Sequence, residues 1–113
     1  MYKQGDIVFV PYPYTDDLNA TKQRPVVIIS HNSLNRHQSQ YIVAKITSVI
    51  QNGPFSYPIF KHEIDFNLDR ASEVRVNDLA TLSHNLFKKK LGAFTKDGLQ
   101  KLLVVIQDNF IID

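Results

Sequence analysis

The sequence predicts a single, mainly β domain in which a small, strongly curved sheet or barrel carries one C-terminal helix. Three observations predict this class. Short runs of β-branched and aromatic residues recur along the chain, turn-forming residues separate them, and a helical repeat of leucine and isoleucine occurs near the C-terminus. Since 113 residues are enough for one compact core, we expect one domain over residues 1–113.

The first strand is predicted in "DIVFVPYPY" (6–14). Proline has no N–H to give to a sheet, so we expect Pro11 and Pro13 to end this strand. The segment "TDDLNATKQ" (15–23) is polar and has no apolar period. It predicts an exposed loop.

The next two strands surround a second polar segment. "RPVVIIS" (24–30) is an aliphatic strand, and the proline rule places Pro25 at its start with Arg24 extended before it. "HNSLNRHQS" (31–39) predicts another loop. "QYIVAKITSVI" (40–50) predicts a third strand that is apolar on both faces.

The second half of the chain predicts shorter strands and the helix. "QNGP" (51–54) is a turn signal. Further strands are predicted in "FSYPIFKHEID" (55–65), "SEVRV" (72–76), the ambiguous "DLATLS" (78–83) and "LFKKKLGAF" (86–94). Thr95 is a candidate N-cap for an amphipathic helix of about 12 residues. The apolar stripe of this helix is formed by Leu99, Leu102, Leu103, Ile106 and Phe110.

Composition and charge exclude some classes of protein. The chain has no cysteine, so it has no disulfides and no cysteine-based metal site. It has no apolar run of the roughly 18 residues that a membrane span needs and no signal-peptide pattern, so we expect a cytoplasmic protein without a membrane partner. The net charge is +2, and the whole excess lies in residues 1–56. This permits a polyanionic partner without requiring one.

The titratable residues do not predict a metal site. The spacings of the four histidines do not match zinc-enzyme motifs. The loop acids Asp16 and Asp17 are adjacent in the chain, and adjacent side chains rarely point the same way. The histidines are His31, His37, His62 and His84. A general acid and base formed by His31 and His37 is a second interpretation, although both lie in a polar segment where surface histidines are common.

Two places remain as candidates for chemistry. In "TKQRP", Lys22 and Arg24 lie at the mouth of a buried strand, where a charge needs water, a carboxylate or an anionic ligand. In "KITSVIQ" (45–51), Thr47 and Ser48 interrupt an apolar strand. From the residues alone, an ion pair for Arg24 and a structural role for the Thr47 hydroxyl remain open alternatives.

These same segments resemble the PemK/MazF family of toxin endoribonucleases. "GDIVFVPYPYTDD" is similar to that family's opening strand, and "KQRPVVIIS" to its Lys-x-Arg-Pro segment followed by an aliphatic run and Ser. "VAKITS" resembles its third strand, which ends in Thr or Thr-Ser. "SEVRVNDLATLS" and "KKKLGAF", followed by a helix, resemble its C-terminal half. The resemblance covers nearly the whole chain in the right order.

The resemblance implies an SH3-like small β-barrel of the PemK/MazF/CcdB type and the toxin of a type II toxin-antitoxin system. It implies a homodimer, an antitoxin partner and sequence-specific cleavage of single-stranded RNA without metal or cofactor, leaving 2′,3′-cyclic phosphate and 5′-hydroxyl ends. It places the catalytic residues at Arg24 and Thr47. The expected substrate-binding residues are Tyr14, Thr15, Lys22, Ser48 and Gln51. A dimer is also favoured by strands that are apolar on both faces.

Two other functions are compatible with this fold. One is a CcdB-like poison of DNA gyrase that has no enzymatic activity, which would not need Arg24 and Thr47 to converge. The other is a nucleic-acid-binding module that has lost catalysis.

Overall fold

A computed structural model describes residues 2–13 and 21–113 and contains six strands and two α-helices in this part of the chain. The strands are β1 (Asp6–Pro13), β2 (Thr21–Ile28), β3 (Gln40–Thr47), β4 (Ser56–Pro58), β5 (Glu73–Ser83) and β6 (Lys89–Ala93). The helices are α1 (Asn32–Gln38) and α2 (Lys96–Asp108), and two 3₁₀ turns cover Lys61–Glu63 and His84–Leu86. Within the described residues, no helix has the length and apolarity that a membrane crossing requires.

The strands form one antiparallel sheet in the order β4-β5-β3-β2-β1-β6. The two ends of this sheet are joined through the segment that follows β4. Ile64 forms a bridge with Phe94 after β6, and the N–H of Asp65 donates to the carbonyl of Ala93. The sheet is therefore strongly curled, and the predicted class of a curved β-sheet with a C-terminal helix is confirmed.

The curled sheet buries both of its faces within one chain. One face packs against α2, where Leu102 and Ile106 cover Ile46 and other residues of the first core cluster. The other face encloses a second cluster that contains Val8, Val10, Val26, Ile28 and Val43, with Tyr2, Tyr41 and Phe87 in edge or tilted contact beside them. The apolar second face is thus satisfied without a partner, and the homodimer stays a prediction that rests on the family resemblance.

Helix α2 begins where the sequence predicts. The Thr95 side chain accepts a hydrogen bond from the N–H of Gly98 at 3.0 Å, which satisfies one of the free donors of the first turn. Gly98 lies against the backbone of Glu63, so the helix approaches the 3₁₀ turn closely. The helix runs to Asp108 and turns Leu99, Leu102, Leu103 and Ile106 to the sheet. Phe110, predicted as part of the same stripe, lies beyond the helix end and is exposed.

The predictions that Pro11 would stop β1 and that Pro25 would begin β2 are wrong, whereas Pro13 is the last residue of β1. Strand β1 continues through Pro11 to Pro13, and β2 begins four residues before Pro25, at Thr21. The ladder of β1 with β6 ends at Phe9, and the ladder of β2 with β3 begins only at Val26. Each proline therefore lies where its strand has one ladder instead of two, and a missing N–H is tolerated there.

The predicted loop over residues 31–39 is a short helix instead. His31 caps α1 by accepting the N–H of Ser33 on its ring nitrogen Nδ1 at 3.0 Å. Asn35 is buried and its amide group donates to the carbonyl of Ser30. Ser39 ends the helix with φ of 53°, in the left-handed region. Polar caps and a buried amide hold α1, so hydrophobic periodicity could not reveal it.

The strands of the second half also differ from the predicted segments. Only Ser56–Pro58 of the segment 55–65 is a strand, because the chain then turns into the 3₁₀ helix that meets α2. The segments 72–76 and 78–83 form one continuous strand, β5. This long strand forms one wall of a cleft that Arg24 and Thr47 also line.

Candidate nucleic-acid cleft

Strands β2 and β3 bring Arg24 and Thr47 to the same side of the sheet. The ladder pairs Val26 with Lys45. The ladder stops at this pair, and its register continued by two residues on each strand would set Arg24 opposite Thr47, since side chains two residues apart share a face. Both residues line one cleft of about 510 Å³. The structure therefore unites the two residues that the sequence singled out.

The cleft lies where β2, β3, the turn after β3 and β5 meet. Among the residues that the structure describes, its lining contains three cationic side chains and one carboxylate. The lining residues are Arg24, Lys45, Thr47, Val49, Gln51, Arg75, Asn77, Asp78 and Leu79. A concave surface with this balance of charge favours an anionic ligand.

The Thr47 hydroxyl is held in a defined position. Thr47 is only 6% exposed, and its Oγ1 accepts a hydrogen bond from the N–H of Val49 at 3.1 Å. A hydroxyl has one proton to donate besides its acceptor sites. The Val49 bond uses an acceptor site, and within the described residues the Thr47 hydroxyl donates to no acceptor, so its proton is available for a ligand oxygen in the cleft.

Arg24 carries its charge at the edge of the buried part of β2. The strand is buried from Val26 to Ile28, and Arg24 itself is half-buried. Within the described residues, Arg24 takes part in no salt bridge. Its guanidinium offers five N–H donors and stays charged at any physiological pH. These properties suit a phosphate ligand.

A carboxylate on β5 organises another side of the cleft. Asp78 accepts a hydrogen bond from the buried Tyr12 hydroxyl at 2.6 Å and forms an ion pair with Lys45 Nζ at 3.1 Å. Burial, the hydrogen bond to Asp78 and the negative charge of Asp78 all raise the pKa of Tyr12 above its ordinary value. Tyr12 is therefore a neutral donor at physiological pH, and Asp78 fixes the position of the Lys45 charge.

A second carboxylate, Glu73, lies behind the cleft and is 1% exposed. Burial opposes its ionisation, but donors from the backbone N–H groups of Gln51 and Asn52 and from the Ser56 hydroxyl, together with the positive charge of Arg75, outweigh burial. They hold the pKa of Glu73 below its usual range. Glu73 is thus a buried anion that binds the turn after β3.

The predicted site residues fall into three groups. Arg24, Thr47 and Gln51 line the cleft. Lys22 and Ser48 are exposed and adjoin the cleft residues in the chain, but they are not part of its lining. Tyr14 and Thr15 lie outside the described residues. The assigned roles of all these residues remain predictions.

Sequence reasoning missed three charged residues of the cleft, namely Lys45, Arg75 and Asp78. The signal for Lys45 was present, because it precedes Thr47 by two residues on one strand and must share its face. Arg75 and Asp78 had no comparable signal. They reach the cleft through an irregular register between β3 and β5.

The histidines do not contribute to this cleft. His31 is occupied as the cap of α1, and neither His31 nor His37 is part of the cleft lining. Among the residues that the structure describes, no group of three or more histidines and carboxylates lies close enough to hold a metal ion. His31 and His37 therefore lie outside the cleft that Arg24 and Thr47 line.

The curled sheet, the C-terminal helix and the cationic cleft define a class of small β-proteins with a site for an anionic ligand on strands β2 and β3. Comparison with known proteins narrows this class. Residues 3–110 match the family model of the PemK-like, MazF-like toxin of type II toxin-antitoxin systems. The chain therefore belongs to this toxin family, as the sequence resemblance predicts.

Individual relatives agree with this assignment. An endoribonuclease MazF from Staphylococcus saprophyticus is 28% identical over 91 residues, which cover 80% of this chain and 76% of the relative. A mycobacterial endoribonuclease solved in complex with its cognate antitoxin superposes with a TM-score of 0.76 at 16% identity, over 97% of this chain and 95% of the other. A MazE-MazF structure from Deinococcus radiodurans gives a TM-score of 0.75 at 14% identity, over 96% and 95%. The solved structures support the fold.

Proposed function

We propose that this protein is the endoribonuclease toxin of a type II toxin-antitoxin system and that it cleaves single-stranded RNA without a metal ion or cofactor. The observation that carries the proposal is the convergence of a guanidinium and a hydroxyl in one cationic cleft, at Arg24 and Thr47. RNA brings its own nucleophile, the 2′-hydroxyl. The protein then has to align this group, manage protons and stabilise charge on phosphorus.

The reaction follows from this division of work. The 2′-oxygen attacks the adjacent phosphorus and loses its proton, the bond from phosphorus to the 5′-oxygen breaks, and the leaving oxygen gains a proton. The products are a 2′,3′-cyclic phosphate and a 5′-hydroxyl. Arg24 stabilises the negative charge of the phosphorane and supports protonation at the leaving oxygen. Thr47 donates its free proton to a phosphate oxygen and orients the group.

The remaining cleft residues would bind the strand. Lys45 adds a positive charge that Asp78 holds in place, and the amide of Gln51 can donate to a base or phosphate. Lys22 and Ser48 are exposed beside the cleft residues in the chain and would contact flanking nucleotides. Tyr14 and Thr15 are proposed to stack on and hydrogen-bond to bases from the segment that precedes β2.

The proposed partners follow from the family. Relatives are named as endoribonucleases and were solved with antitoxins, so we propose a cognate antitoxin that covers the RNA cleft. We also propose a homodimer and a cytoplasmic location, where messenger RNA is accessible.

The test is an incubation of the protein with a set of single-stranded RNA oligonucleotides in the presence of EDTA. We expect wild-type protein to cut RNA and leave cyclic phosphate ends. We expect Arg24→Ala to lower the cleavage rate by about 10²- to 10³-fold. Arg24→Lys should be faster than Arg24→Ala but slower than the wild type, because lysine lacks the paired donors. An oligonucleotide with a single 2′-deoxy group at the scissile position should resist cleavage.

Three results would overturn the proposal. RNA that stays intact while DNA damage depends on gyrase would indicate a gyrase poison. Binding of RNA without any cutting would indicate a module that has lost catalysis. Cutting that persists unchanged in Arg24→Ala would show that the cleft is not the active site.

A further inference from the structure

The chain has two glutamates, Glu63 and Glu73, and both are buried. Glu73 pairs directly with Thr47 in the ladder between β3 and β5. Its Oε1 accepts the backbone N–H of Gln51 at 3.0 Å and the Ser56 hydroxyl at 2.8 Å. Glu73 thus connects the strand opposite Thr47 to the turn that follows Thr47.

Arg75 completes this connection from the same face of β5. Its Nη2 lies 3.5 Å from Glu73 Oε1 and donates to the carbonyl of Val49 at 3.3 Å. Its Nη1 donates to the side-chain oxygen of Gln51. The guanidinium therefore spends its donors on the turn after β3 and on Glu73, although it lies at the wall of the cleft.

These contacts lead back to the Thr47 hydroxyl. The N–H of Val49 donates to Thr47 Oγ1 at 3.1 Å, and Arg75 holds the carbonyl of the same residue. Two residues further along the turn, the N–H of Gln51 donates to Glu73. The orientation of the hydroxyl therefore depends on a turn that is fixed at three points by two residues of β5.

We propose that Glu73 and Arg75 are positioning residues that set the direction of the Thr47 hydroxyl through the 48–51 turn. This inference rests on the proposed ribonuclease function. A shift of about 1 Å in a reacting or orienting group can lower a rate by about 100-fold. An ion pair that fixes a short exposed turn has a functional explanation if this turn holds the Thr47 hydroxyl in position.

A purely stabilising role explains the arrangement less well. A buried carboxylate is costly unless all its lone pairs are used, and within the described residues Glu73 Oε2 has no hydrogen-bond partner. Glu63 provides a contrast in the same chain. Both of its oxygens accept from the Tyr57 hydroxyl, at 2.9 and 3.1 Å, and it lies against Gly98 of α2, whereas Glu73 binds the turn after β3.

The experiment compares variants of the two positioning residues, Glu73 and Arg75 (the turn clamp), with two matched controls. Glu73→Gln and Arg75→Gln remove the charge of each positioning residue. Glu63→Gln removes a buried carboxylate that binds Tyr57 instead of the turn after β3, and Arg70→Gln removes an exposed arginine from the loop before β5. Single-turnover cleavage, KM for the RNA, urea unfolding and amide hydrogen exchange of Val49 are measured for these four variants, for Arg75→Lys and for the wild type.

We expect both clamp variants to lower the single-turnover rate by about 10- to 100-fold with KM within about threefold of the wild-type value. The amide of Val49 should exchange faster in both. The controls should keep the wild-type rate, and Glu63→Gln should lose stability. Arg75→Lys should recover part of the rate, because it restores the charge but not the fork of donors.

Other results would overturn the inference. Unchanged rates in both clamp variants, while wild type cuts RNA, refute the positioning role alone. A raised KM with an unchanged rate in Arg75→Gln would make Arg75 a direct RNA contact. If Glu63→Gln loses as much rate and as much stability as the clamp variants, the loss of rate in those variants would be explained by reduced folding stability. Wild-type protein that cuts no RNA refutes the proposed function and this inference together.

Discussion

Replacing Thr47 by valine or by serine separates the chemical role of its hydroxyl from its packing. Thr47 is 6% exposed, so Thr47→Ser removes a buried methyl group worth about 0.8 kcal/mol and keeps the hydroxyl. Thr47→Val keeps the volume but leaves the N–H of Val49 without its acceptor. Val49 is exposed, so water can replace this bond and the cost is about 0.5–1.5 kcal/mol. The two variants should therefore differ little in stability.

Their activities should differ strongly. If the hydroxyl donates to the phosphate only as charge develops, Thr47→Val should lower the cleavage rate by about 10²- to 10³-fold, equivalent to about 3–4 kcal/mol of transition-state stabilisation. Thr47→Ser should stay within about tenfold of the wild type, because a serine hydroxyl can reach the same oxygen with more rotamer freedom. Single-turnover cleavage of an RNA oligonucleotide measures the rate, and urea unfolding measures the stability. Wild-type cleavage by Thr47→Val would refute a catalytic role for this hydroxyl.

Three further predictions concern stability. Tyr12 and Tyr57 have raised pKa values, mainly through burial and then through their carboxylate partners. The folded protein therefore keeps protons that the unfolded chain releases, and the unfolding free energy should fall as the pH rises above about 10; tyrosinate absorbance that rises for these two residues before unfolding would contradict this. Gly98→Ala should destabilise the protein by about 1–2 kcal/mol in urea unfolding, because a Cβ there would lie 2.6 Å from Glu63 Cβ. The gain in helix propensity, about 1 kcal/mol, offsets only part of the cost of this overlap. An unchanged urea midpoint would show that the helix shifts freely. Thr95→Ala should cost about 1 kcal/mol through the lost N-cap, whereas Thr95→Ser should restore most of it, and equal midpoints for the two would refute the capping role.

The parts of the site that could be predicted from sequence are those set by a regular ladder. Arg24 and Thr47 lie on adjacent strands whose apolar residues fix which side faces the core, so their convergence follows from period-two alternation and register. The same rule would have given Lys45. The C-terminal helix was equally accessible, since its cap at Thr95 and its apolar stripe are both local signals.

The parts that could not be predicted depend on irregular geometry. The partner of Ala44 on β5 is Leu79, but the partner of Ile46 is Val74. This shift in register places Arg75 and Asp78 at the cleft, and no local pattern announces such a bulge. The prolines of β1 and β2 misled the prediction for a related reason, because the tolerance of a proline depends on where the neighbouring strands stop.

The position of β2 and β3 at the centre of the sheet has a consequence for how the protein loses activity on heating. Central strands, with a neighbour on each side and a core on each face, open only when the whole cooperative unit melts. Arg24 and Thr47, however, lie two residues past the last pair of the β2–β3 ladder, and each is paired with one neighbouring strand, Arg24 with β1 and Thr47 with β5. Fraying of this open end would separate the two residues while the core stays folded, so loss of RNA cleavage on heating should precede global melting.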